Sequence, residues 1–283
     1  MKQLILTSAV VAAIAAPAAA LAQAPAAPAP ASPHTFSYNV GFFSEYIFRG
    51  VSQTGGKPAV QGGLDYGHAS GFYAGTWASS ASWLQDFNLY TRSSLEWDFY
   101  GGYKWTFAND FGLDVGTIYY YYPGKRNPGV ISADTWEIYV AGTWKFLGAK
   151  FSYSLDDYFG ARPLGPTQKT DGSWYLDLFG NYAFGDSGWS LNAHYGILDV
   201  KNDGTQAAGT KASYNDWRIG GAYTFPSGPV KGLELGLYYT DTNVKNGTAG
   251  TNFYTDLTGN AARTAPGYNT AQDALVVYVK KTF

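Results

Sequence analysis

Leu95–Phe107, LEWDFYGGYKWTF, is the stretch whose reading decides the fold. One parity carries Leu95, Trp97, Phe99, Gly101, Tyr103, Trp105 and Phe107, and the other Glu96, Asp98, Tyr100, Gly102, Lys104 and Thr106. A period of two is the strand period, and the run is longer than the roughly 5–6 residues of an average strand. The split returns at Trp136, Ile138, Val140, Gly142, Trp144 and Phe146, at Trp174 through Phe184 and at Trp217 through Phe225.

Working outward, twelve such segments are predicted, at 36–48, 58–67, 72–80, 93–107, 111–122, 134–146, 149–158, 173–184, 189–199, 215–225, 233–242 and 273–283. Most connections alternate between short (such as 68–71, 108–110, 147–148) and long (such as 123–133, 159–172, 200–214, 243–272). That alternation belongs to an outer-membrane barrel, with short periplasmic turns and long outer loops. The expected fold is therefore all-β, a single transmembrane antiparallel up-and-down β-barrel of twelve strands over 36–283, with both ends periplasmic. A [YW]-x-F motif at Trp105/Phe107, Trp144/Phe146, Tyr182/Phe184 and Tyr223/Phe225 recurs about every 40 residues, a period shared with propeller blades. A blade needs four short strands per period, whereas each period here holds two long ones.

Sidedness follows from volume. The apolar parity holds more bulk than a barrel interior could accept, while the other is rich in Gly, Ala, Ser and Thr, so the bulky face points outward. Trp97 and Trp105, Trp136 and Trp144, Trp174 and Tyr182, and Trp217 and Phe225 are each eight residues apart. Eight residues of tilted strand rise ~20 Å, close to the ~25 Å apolar band between aromatic girdles.

Composition agrees. Aromatic residues make up 18% and charged residues only 14%, too few charges for an ordinary water-facing surface. Mean hydropathy is −0.19, and beyond the N-terminal segment there is no apolar run near the ~20 residues of a spanning helix. The absence of Cys fits an export route and removes thiolate chemistry, and a net charge of −2 argues against nucleic acid as partner. Met1-Lys2, the apolar stretch Leu4–Ala16 and Ala20-Leu21-Ala22 read as a signal peptide over residues 1–22. Residues 23–35, rich in Ala and Pro, are expected to form a periplasmic tail.

The stretch EYIFRGVSQTGGKPAVQGGLDYGHASGFYAGTW, Glu45–Trp77, resembles the N-terminal signature of the TorF family of porin-like outer-membrane proteins. Its RGVSQT, KPA and GFYAGTW elements occur here in the order that family has, and the rest of the chain agrees by general pattern. The resemblance implies a porin-like barrel and says little about the solute. The last strand ends on Phe283, resembling the terminal signal read by the outer-membrane insertion machinery, although Lys281 departs from its apolar pattern.

Functional residues are expected on the inward parity. Glu96, Asp98, Glu137, Asp156, Asp177 and Asp216 fall in the outer half of the bore, and Lys104, Lys145, Lys150 and Lys280 in the periplasmic half. Rings of carboxylate favour cations. Arg218, on the outer side, and Asp114 and Glu234, on the periplasmic side, blur the separation, so any selectivity should be mild. Inward Tyr100, Tyr139, Tyr175 and Tyr238 should narrow the bore. Arg49, Gln53 and Lys57 are placed at the external rim, where they either hold an anion such as a lipopolysaccharide phosphate or tie the first hairpin to neighbouring acids.

These residues point to passive diffusion of small hydrophilic solutes, without cofactor or metal. The expected partners are outer-membrane lipid and lipopolysaccharide, the insertion machinery and the solute itself. If the inward charges pair across the lumen, the same barrel is a non-conducting structural or adhesive protein. A hydrolase would need a His with a Ser and an acid; of His34, His68 and His194 just the last faces the lumen, near Ser190 and Asn192, and it is read as a lining residue.

Overall fold

A computed structural model describes residues 32–163, 165–204, 211–247, 250–256 and 267–283. The expected signal peptide, 1–22, and residues 23–31 of the expected tail lie outside them, whereas His34 and Thr35, also assigned to that tail, begin the first strand. Twelve strands form the barrel: β1 (His34–Phe43), β2 (Ala59–His68), β3 (Phe72–Ser80), β4 (Leu95–Thr106), β5 (Phe111–Tyr121), β6 (Thr135–Trp144), β7 (Leu147–Ser154), β8 (Trp174–Ala183), β9 (Trp189–Asp199), β10 (Tyr214–Thr224), β11 (Leu233–Thr242) and β12 (Ala274–Thr282). Each pairs antiparallel with its neighbours in sequence, and β1 closes on β12 from Asn39↔Thr282 to Phe43↔Tyr278. Closure leaves no edge strand with unpaired backbone groups. The two chain ends are clasped by a reciprocal pair of bonds between Tyr38 and Phe283, whose rings stack 4.9 Å apart.

The exterior is the bulky face. On β4, Trp97 and Phe99 are 41% and 43% exposed while Glu96 and Asp98, on the other parity, are 1% and 0% exposed. Phe36, Phe42, Trp136, Ile138, Leu191 and Leu237 are among many large apolar side chains on the same outer surface. So large an apolar belt around a closed barrel suits hydrocarbon, where every backbone polar group must be bonded within the sheet. Indole N–H groups in the belt are met locally: Trp97 Nε1 donates to Thr76 Oγ1 at 2.6 Å and Trp136 Nε1 to Thr117 Oγ1 at 2.5 Å. Without those hydroxyls each donor would face lipid unpaired.

The inward tyrosines narrow the interior less than their number suggests, because several lie flat against the wall. A Cβ at Gly75 would sit 2.4 Å from the Tyr100 ring, and one at Gly236 would sit 2.2 Å from Tyr278. An absent side chain on one strand makes the bed for a ring from the next, which also covers backbone that glycine leaves bare. The rings therefore take less of the bore than projecting rings would.

The first and seventh segments end earlier than the alternation implied, β1 at Phe43 and β7 at Ser154. The chain beyond each turns inward over the barrel mouth. Short connections such as 69–71 and 145–146 lie at one end, and the long ones, from 44–58 to 243–273, at the other. Side chains of the long loops meet inside the barrel in two apolar clusters, one around Tyr46, Phe48, Trp77, Leu84, Ile118 and Tyr122, the other around Val51, Tyr158, Tyr175, Leu198 and Tyr214.

Candidate functional site

The first loop supplies the piece that occupies the bore. Ile47–Phe48 pairs with Val51–Ser52 as a small hairpin, and Arg49 (φ 48°) and Gly50 (φ 75°) form its two-residue turn. Positive φ at both central residues is the turn whose twist suits a tight hairpin. Gly50 is required for space as well, since a Cβ there would lie 2.6 Å from Asp216 Cβ and 2.8 Å from Thr242 Cγ2. The tip thus presses on β10 and β11, the third and second strands round from β1.

Arg49 fixes it there. Nη1 and Nη2 donate to the two carboxylate oxygens of Glu137 at 2.9 and 2.8 Å, and Nη1 also reaches the Tyr158 hydroxyl at 3.2 Å. The guanidinium carbon lies 4.4 Å from the centroid of the Tyr175 ring and 4.8 Å from that of Phe48. From the opposite wall, the Tyr214 hydroxyl donates to the Arg49 carbonyl at 2.6 Å. A planar guanidinium meets carboxylate and ring faces together, which an ammonium cannot. Burial pushes the Tyr158 phenol up to about 12 despite Arg49 beside it, so it stays neutral and leaves the Arg49–Glu137 charge balance undisturbed.

Carboxylates on the wall take hydrogen bonds from tyrosines. Glu96 accepts from Tyr46 at 2.6 Å and Tyr122 at 2.5 Å, Asp216 from Tyr175 at 2.9 Å, Asp114 from Tyr73 at 2.6 Å and Asp65 from Tyr100 at 2.5 Å. A phenol stabilises the anion without cancelling its charge. Asp98 is fully buried, and neither of its oxygens has a hydrogen-bond partner among the described residues.

Below the hairpin tip, a cavity of about 30 Å³ is lined by Arg49, Asp177, His194 and Arg218, room for roughly one or two waters. His194 Nδ1 lies 3.1 Å from Asp177 and Nε2 3.4 Å from Asp216, so both ring nitrogens face carboxylates rather than a serine. The Arg218 guanidinium lies 5.0 Å from the centroid of the Tyr238 ring. In the half toward the short turns, Lys104 stands 3.8 Å from Asp114 and 4.4 Å from the Tyr73 ring centroid, and Lys280 pairs with Glu234 at 3.2 Å. Lys150 lies over the Tyr139 ring at 3.9 Å, and the Tyr139 hydroxyl bonds that of Tyr73.

Several expected placements change. Arg49 and Gln53 are not on the external rim: both are buried, and the Gln53 amide donates to the Val51 carbonyl inside the hairpin. Lys57 is half-buried where the loop returns to β2. Lys145 leaves the bore because β6 ends at Trp144; it takes a left-handed turn conformation and lays its ammonium over the exposed Trp144 ring at 4.8 Å. Asp156 is exposed in the loop beyond β7 for the same reason. Of the girdle residues, Trp105, Trp144, Tyr182 and Trp217 are exposed on the outer face, whereas Trp174 and Phe225 are half-buried. Tyr46, Tyr122, Tyr158 and Tyr214 were missed. Their signal was the short pattern Ile-Phe-Arg-Gly-Val-Ser, a hairpin turn between apolar pairs, which calls for partners inside a fold.

A family model described as "Bacterial protein of unknown function (Gcw_chp)" matches residues 27–283, rather than one under the TorF name. A comparison with curated proteins returns no match. Among solved structures, the chain is similar to the KdgM porin at 10% identity, covering 87% of this chain and 99% of that one with a TM-score of 0.47. It is also similar to a KdgM porin in complex with disordered oligogalacturonate (9% identity, 88% and 98% covered, TM-score 0.46) and to Pseudomonas aeruginosa OprD (16% identity, 88% and 66% covered, TM-score 0.40).

Proposed function

The chain belongs to the Gcw_chp family of bacterial proteins of unknown function, and we propose that it is an outer-membrane, porin-like channel for small hydrophilic solutes whose outer half is constricted by its own first loop. The observation that carries this reading is the division of one closed sheet into an apolar outer stripe and an inner stripe of carboxylates, ammonium groups and tyrosines. A water-facing interior of that chemistry is what a diffusing polar solute requires. A mild preference for cations is part of this reading: Glu96, Asp98, Glu137, Asp177 and Asp216 outnumber Arg49 and Arg218 in the outer bore, and although these acids are buried their summed field acts on an ion at the axis.

A second reading, a barrel that does not conduct, is favoured by the seat of the Arg49 hairpin across the lumen. Planar-bilayer recording separates the two. Discrete conductance steps are expected from the wild type, with a reversal potential on the cation side that moves toward anions in the Asp98→Asn/Glu137→Gln/Asp177→Asn triple variant. Silence at every voltage, in the wild type and in a variant lacking the hairpin, would establish the structural barrel instead.

A further inference from the structure

Above the inserted hairpin the long loops leave a second space, unlike the bore in its chemistry. It has a volume of about 340 Å³, and its walls include Phe48 and Val51 of the hairpin, Trp83, Phe159, Val200 and Phe253. An aqueous vestibule leading polar solutes to a channel would be lined by polar groups. This one is aromatic and aliphatic.

The polar side chains that do border it are already engaged. The Tyr158 hydroxyl receives Arg49, the Tyr214 hydroxyl donates to the Arg49 carbonyl at 2.6 Å, and the Tyr254 hydroxyl donates to the Ala212 carbonyl. Thr270 Oγ1 donates to the Tyr254 carbonyl at 2.8 Å. The Arg162 guanidinium is taken by Asp157, at 3.0 Å from Nε and 2.5 Å from Nη2, and by the Pro166 carbonyl. The Trp83 indole N–H has no partner among the described residues but is closed to solvent. A polar or charged guest would lose its hydration and gain little bonding in return.

We infer that this cavity is a binding site for an uncharged, ring-containing apolar molecule. Size agrees with chemistry. An apolar cavity of about 150 Å³ takes benzene, so one of twice that volume suits two or three fused rings. Small-molecule pockets run from about 300 to 1,000 Å³. The wall carries a position under backbone strain: Phe159 holds φ at 47°, in the left-handed region that aromatic residues rarely adopt, while its ring packs on Phe48, Tyr120 and Tyr158. Strain of that kind persists where the surrounding packing fixes the side chain, here as part of the cavity wall. The inference takes its outer-side orientation from the barrel reading but is independent of whether the bore conducts.

The test is calorimetric titration of the full-length protein in lipid nanodiscs with naphthalene, against empty nanodiscs as blank. Saturable binding of one naphthalene per chain is expected, with no saturable binding of 1-naphthalenesulfonate. Ala161→Phe, at the wall, should fill the space and weaken naphthalene binding at least tenfold. Phe159→Asn, which suits the left-handed backbone but removes the ring, should weaken it several-fold and serves if the first variant does not fold. Leu237→Ala, on the outer face of β11, should leave it unchanged. Non-saturable uptake equal to the blank, equal binding of the sulfonate, or naphthalene binding indifferent to the wall variants would overturn the inference.

Discussion

The two halves of the bore share one set of strands and differ in almost everything that those strands enclose. Toward the short turns, a buried Asp114 pairs with an exposed Lys104 and a half-buried Glu234 with Lys280, and tyrosines lie flat on glycine beds. Toward the long loops, Glu96, Asp98, Glu137 and Asp216 are closed to water beneath aromatic side chains donated by the loops. The wall alone therefore does not set the character of a barrel interior. The same kind of carboxylate is a wetted lining group in one half and a buried anchor in the other, according to whether a loop comes in to meet it.

The comparison breaks most completely if the first loop is removed. Replacing residues 46–54 by a short Gly/Ser turn should raise single-channel conductance several-fold, because the outer half then acquires the open section of the inner half. A conductance unchanged by the deletion would place the constriction elsewhere. Next in size is Arg49→Ala, which leaves Glu137 buried without its partner and should weaken the hairpin's seat by about 3–5 kcal/mol, read as new protease cleavage in the first loop. Arg49→Lys should fall between, since it keeps the charge and loses the fork.

Smaller effects sharpen the contrast. Gly196→Ala would put a methyl 2.0 Å from the Tyr175 hydroxyl and 2.3 Å from Asp216 Oδ1, and should destabilise the barrel by about 1–3 kcal/mol in urea unfolding from lipid. Gly142→Ala meets nothing within 4 Å and is the matched control. The smallest effect belongs to Lys104→Gln: its pair with Asp114 is 3.8 Å long and the Lys side chain 46% exposed, so stability should change by no more than about 1 kcal/mol. A loss as large as that of Arg49→Ala would show that the two halves are equally dry.

The strands were readable in the sequence because two media impose alternation on them. β9 (Trp189–Asp199) and β11 (Leu233–Thr242) fall where the pattern put them, and the closed twelve-strand order follows from the connection lengths. Alternation misleads where a loop answers to a different apolar surface. Phe43 through Phe48 still reads as strand, yet Tyr46 and Phe48 serve a cluster inside the mouth, and β1 has already ended. Lys145 and Asp156 show the same difficulty at single-residue scale: one or two positions past a strand end, parity ceases to say where a side chain goes. Whether a loop folds outward or into the bore is a matter of contacts far apart in sequence, which no local period encodes.

Those distant contacts carry a consequence for the order of assembly. Arg49 lies in the loop between β1 and β2, but its carboxylate partner lies 88 residues downstream and the phenol that grips its carbonyl 165 residues downstream. Contacts of such separation form late, since the intervening chain must be ordered before they are rewarded. The first loop thus reaches its resting place only once β6 and β10 are in place, and until then it leaves the axis of the forming cylinder clear.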